Sequence, residues 1–64
     1  MVDKIIAYEM GELDANGTLE LFSELVKTGM AWTLQGSYGR AAMGMIQRGW
    51  LDENGNILRS FDDD

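Results

Sequence analysis

The string Gly36-Ser37-Tyr38-Gly39-Arg40 is the part of this chain best suited to chemistry. Where such a glycine-flanked run opens a helix, its backbone N–H groups can face an anion, and Arg40 would clamp it. The string matches neither the Walker nor the dinucleotide pattern and follows no clear strand. A tight turn into a helix is therefore the plainer reading, and an anion- or carboxylate-binding notch the sharper one. Carboxylate pairs come next: Glu20 with Glu24, one helical turn apart, and Glu9 with Glu12. Paired acids do acid–base work or hold a divalent ion only where burial or a third ligand shifts their pKa values. Both pairs fall on the polar sides of short helices and read as solvated faces. Asp52-Glu53-Asn54-Gly55-Asn56 offers oxygens at alternate positions, as a calcium loop does, but Ile57 stands where that loop requires glycine. A turn is the better reading there.

The chain has 64 residues, of which 45% are apolar, and contains neither histidine nor cysteine. Imidazole bases, Ser-His and Cys-His nucleophiles, disulfides and thiolate metal sites are all excluded. The expectation is a protein that is not an enzyme and carries no cofactor and no metal. Eleven acids against five bases give a net charge of −6. Residues 1–29 hold six of the acids against Lys4 and Lys27, whereas Arg40 and Arg48 balance Asp52 and Glu53 further on. Binding to a phosphate backbone needs a basic face, and those two arginines are the only candidates, so direct nucleic-acid binding is disfavoured. No apolar run approaches the roughly 20 residues that span a bilayer, and no secretory leader pattern opens the chain. A cytoplasmic domain over residues 1–61 with an acidic tail at 62–64 is expected, with no membrane partner.

Three amphipathic stretches must position these groups. Asp3 as N-cap, with Val2, Ile5, Ile6, Met10 and Leu13 sharing a face, predicts a helix over 3–11 ended by Gly11. Asn16-Gly17 predicts a turn with Thr18 as the next cap. Leu19, Leu21, Phe22, Leu25 and Val26 then predict a helix over 18–27, closed by Gly29. Residues 30–35 suit either a helical turn or an extended piece; an irregular connector with Trp32 packed inward is preferred. Ser37 is the expected cap of a third helix ending at Arg48, with Tyr38, Ala41, Ala42, Met45 and Ile46 inward. Trp50-Leu51 and Ile57-Leu58 around Asn54-Gly55 read as a hairpin. The fold class expected is mainly α, a compact domain of three short helices with a small C-terminal β-hairpin. Its core would hold Ile5, Ile6, Leu19, Phe22, Leu25, Val26, Trp32, Leu34, Ala42, Met45, Ile46 and Ile57.

Two tryptophans and five methionines are more large apolar groups than so small a domain covers comfortably. Trp32, Met43, Arg48 and Trp50 are the candidate interface, facing a protein partner or a second copy. A two-fold homodimer through the third helix would bring its arginines together, with Glu20 or Glu24 of the other copy between them.

Three strings carry a resemblance: Lys4-Ile5-Ile6-Ala7-Tyr8-Glu9-Met10-Gly11-Glu12-Leu13, Leu21-Phe22-Ser23-Glu24-Leu25-Val26-Lys27-Thr28-Gly29, and Trp32-Thr33-Leu34-Gln35-Gly36-Ser37-Tyr38-Gly39-Arg40. Together they resemble a family of short proteins encoded by tailed bacteriophages and prophages. The resemblance implies a viral accessory protein acting in the host cytoplasm; it brings no activity, cofactor or catalytic residue. The leading functional expectation is a protein-binding module that modulates a host or phage protein. The alternatives are a helix-turn-helix transcription regulator, from the order of helix, helix and hairpin wing, and a minor virion component.

Overall fold

Each helix of this chain is closed at its C-terminal end by a left-handed glycine whose amide settles a carbonyl of the last turn. The computed structural model describes residues 2–59. Helix α1 spans Val2–Glu9, α2 Ala15–Thr28 and α3 Gly36–Gln47, with a single 3-10 turn, Met30–Trp32, between α2 and α3. The chain is thus mainly helical, with three helices, and among the described residues none is long and apolar enough to cross a membrane.

Helix α1 starts earlier than expected and carries Asp3 within its first turn. Its end is a Schellman motif: Gly11, at φ 74°, donates to the Tyr8 carbonyl and Glu12 to the Ala7 carbonyl. Asp14 caps α2 in place of Thr18, its carboxylate accepting the Gly17 amide at 2.6 Å. That acceptor satisfies an amide otherwise left open. Asn16-Gly17 is accordingly wound into the helix, and the turn expected there does not form. Gly29 ends α2 in the left-handed conformation, its amide on the Val26 carbonyl at 3.1 Å, as the sequence indicates.

Two further expectations are corrected between α2 and α3. Ala31 is the buried residue of the 3-10 turn, and Trp32 is 50% exposed. Ala31 sits where α3 starts: a Cβ on Gly39 would lie 3.5 Å from the Ala31 carbonyl oxygen, so the backbones meet over small residues and the indole is displaced outward. Ser37 does not cap α3; Gln35 occupies that position without a side-chain bond, and the Tyr38 amide reaches the Gln35 carbonyl at 2.9 Å.

The C-terminal hairpin is reduced to one antiparallel bridge, Leu51 with Ile57, and no strand forms among the described residues. Pairs this short are marginal, and here the loop answers to α2 instead of to a ladder. The Asp52 carboxylate accepts the Asn54 and Asn56 amides and the Asn56 side chain, each at 2.9 Å. Those bonds, the Asn56 side chain first, hold the Asp52 carboxyl below its ordinary pKa. The buried Ser23 hydroxyl of α2 donates to the Gly55 carbonyl at 2.5 Å. Leu51 is fully buried under this loop, whereas Ile57 is turned out.

The core gathers Leu19, Leu21, Phe22, Leu25 and Val26 of α2 with Ala31, Tyr38, Ala42 and Leu51. Phe22 meets Tyr8 edge-on at 5.4 Å and Tyr38 at 6.0 Å, so one ring from each helix meets at the centre. Of the expected core, Ile6, Trp32 and Ile57 are exposed. The expected 62–64 tail lies outside the described residues.

Candidate functional site

Helix α3 carries the glycine string and Met43, and Trp32, Arg48 and Trp50 flank its two ends. Two of its sides remain uncovered by the rest of the fold. On one side Arg40, Ala41, Gly44, Met45 and Arg48 follow a helical stripe opposite Leu13, Asp14, Thr18 and Leu19, with Trp50 closing the end; together they line a groove of about 580 Å³. On the other side Gly36, Gly39, Arg40, Met43, Gly44 and Gln47 with Trp32 line a shallower hollow of about 540 Å³. Arg40 and Gly44 belong to both.

The expected four-residue interface is therefore split. Trp32 and Met43 share the shallow hollow, both about half exposed, and Arg48 and Trp50 share the groove. The glycine string is split as well. Gly36, Gly39 and Arg40 face the hollow, Ser37 is exposed and lines neither, and Tyr38 turns into the core. The Arg40 guanidinium folds back over Gly36, lying 3.5 Å from where a Cβ would stand.

The residues that sequence reasoning missed are Leu13, Asp14 and Thr18, which form the far wall of the groove, and Arg59, whose guanidinium lies 4.3 Å above the Trp50 ring. A cap signal at Asp14 was the available clue to the wall. No spacing rule brings Arg59 to Trp50.

Electrostatically the groove combines an apolar floor with cations at its ends. Arg40 and Arg48 stand eight residues apart, so about 12 Å along the helix axis. Both are exposed, and among the described residues neither has a hydrogen-bond or ion-pair partner. Asp14 on the opposite wall is engaged by the Gly17 amide. Above Gly44 an added Cβ would meet nothing within 4 Å. Among the described residues no group of three or more acids is placed to hold a metal ion.

Tyr38 holds α3 in place. Its hydroxyl donates to Glu9 Oε2 at 2.6 Å. That bond, followed by burial of the ring and by the Glu9 charge, pushes the phenol up from 10.0 to about 12. A phenol raised in the folded state contributes stability that is fully present below its unfolded pKa and is lost as pH climbs from about 10 towards 12. Tyr38→Phe is expected to lower stability by about 1 kcal/mol at neutral pH. In urea melts repeated across pH, the wild-type advantage should shrink through that window. An advantage unchanged at high pH would mean that the Glu9 bond contributes nothing.

Neither the curated proteins nor the solved structures include a match to this chain. The family model described as Domain of unknown function (DUF7417) matches residues 1–63, and the chain belongs to that family.

Proposed function

We propose that this chain is a non-enzymatic protein-binding module, an accessory protein of tailed bacteriophages or prophages that acts on a host or phage protein in the bacterial cytoplasm. The observation that carries this reading is the uncovered outer side of α3, where the Trp32–Met43 hollow and the Arg48–Trp50 groove meet at Arg40 and Gly44. Large apolar side chains gathered beside arginines are the usual composition of a protein contact surface. The resemblance of the three strings to short phage proteins supports the viral source. A DNA-reading role is weaker, because a chain of net charge −6 with one arginine on α3 and one at its C-terminal cap has few phosphate contacts to offer.

Affinity capture from cells expressing the tagged chain tests the reading. A partner protein should be enriched by the wild type and by Glu20→Ala with Glu24→Ala, and lost with Trp32→Ala plus Met43→Ala or with Arg40→Ala plus Arg48→Ala. Sequence-specific duplex binding that weakens steeply with salt and vanishes in the double arginine variant would replace this reading with the transcription regulator.

A further inference from the structure

The arrangement of the groove specifies more than an apolar contact. Its floor on α3 is built of Ala41 and Gly44, small enough to let another helix backbone approach closely, and nothing stands over Gly44. Met45, Leu19 and Trp50 give it apolar walls. Arg40 and Arg48 stand at its two ends about 12 Å apart, exposed and with no carboxylate partner among the described residues. Acids dominate the exposed charge on and beside α1 and α2, where Glu9, Glu12, Glu20 and Glu24 face solvent with Lys4 and Lys27 as the exposed cations. Among the residues lining the groove, the positive charge left without a carboxylate partner is thus that of the two arginines at its ends.

From this charge complementarity we infer that the groove receives an acidic amphipathic helix of a partner protein, with carboxylates about two turns apart paired to Arg40 and Arg48 and one or two large apolar side chains between them. This deepens the protein-binding reading and rests on it. A carboxylate fits each guanidinium as a two-pronged acceptor. The small floor brings the partner's apolar residues onto Met45 and Trp50. A basic or neutral helix would leave both arginines unmatched, so charge sets the choice of partner and apolar contact supplies the holding.

The test uses the full chain, isotope-labelled for NMR, and two synthetic helical peptides identical but for glutamates or lysines about two turns apart, with leucines between. The glutamate peptide should bind at least about tenfold more tightly than the lysine peptide. Its binding should shift the amides of Ala41, Gly44 and Met45 and the Trp50 indole signal. In Arg40→Glu with Arg48→Glu, two exposed positions at which the fold should persist, the preference should invert. Equal binding of the two peptides, binding of neither, or shifts confined to Trp32 and Met43 would overturn the inference. So would movement of the groove amides on dilution of the chain alone, which would assign the groove to a second copy. Capture of a partner that depends on Trp32 and Met43, in the absence of any acidic-helix binding, would sink this inference and leave the protein-binding reading standing.

Discussion

Gly55→Ala is expected to leave little of the chain folded. Gly55 adopts φ 88°, and a Cβ there would stand 2.7 Å from the Ser23 carbonyl oxygen, 2.7 Å from Lys27 Cγ and 3.0 Å from the Lys27 amide nitrogen. The left-handed backbone alone costs an alanine about 1–2 kcal/mol. Forcing a methyl group against a helix backbone that cannot yield adds about 1–3 kcal/mol. A domain of this size holds of the order of 3–10 kcal/mol in all. The substitution also pulls at the Ser23 hydroxyl, whose acceptor is the Gly55 carbonyl. Gly49→Ala is the matched control: Gly49 has φ 81° with nothing within 4 Å, so only the backbone cost applies. Urea denaturation followed by far-ultraviolet circular dichroism should place Gly55→Ala well below Gly49→Ala. Equal losses would mean that the loop is not seated on α2.

Phe22→Ala removes the ring at the meeting point of the three helices. Phe22 is fully buried, 5.4 Å from Tyr8 of α1 and 6.0 Å from Tyr38 of α3. Truncating a buried phenylalanine costs about 3–5 kcal/mol, most of what the domain holds. The same denaturation curves should show Ile6→Ala, an exposed position of α1, within about 0.5 kcal/mol of the wild type. A Phe22→Ala protein that melts near the wild type would show that the helices do not share this centre.

These two sites also mark how far the sequence could be read. Phe22 was legible, because the stripe Leu19-Phe22-Val26 with Leu25 has the helical period and packs as periodicity demands. The glycine-closed ends at Gly11, Gly29 and Gly49 were legible for the same kind of local reason. Gly55 reads locally as a turn residue; that it must be glycine depends on Ser23, distant in the chain, and no spacing rule reports that. Asn16-Gly17 misleads because the cap at Asp14 outweighs a turn signal. Trp32 misleads because size suggests burial, while Ala31 takes the buried place against α3 and the indole lies half exposed beside Gly39. At the site, Arg40 and Arg48 were visible as isolated cations. Their placement at the two ends of one groove needed the α1–α2 link, which supplies Leu13 and Asp14 as its far wall.

The claim that the outer side of α3 is a protein contact surface is tested most directly by photo-crosslinking. Gly44 joins the groove to the hollow and has open space above it, and Glu24 is an exposed position on the acidic α2. A photoreactive residue is placed at one position or the other in the full chain, and the cells are irradiated. The account predicts a discrete protein adduct from Gly44 and none from Glu24. No adduct from Gly44, or equal yields from the two positions, would contradict it.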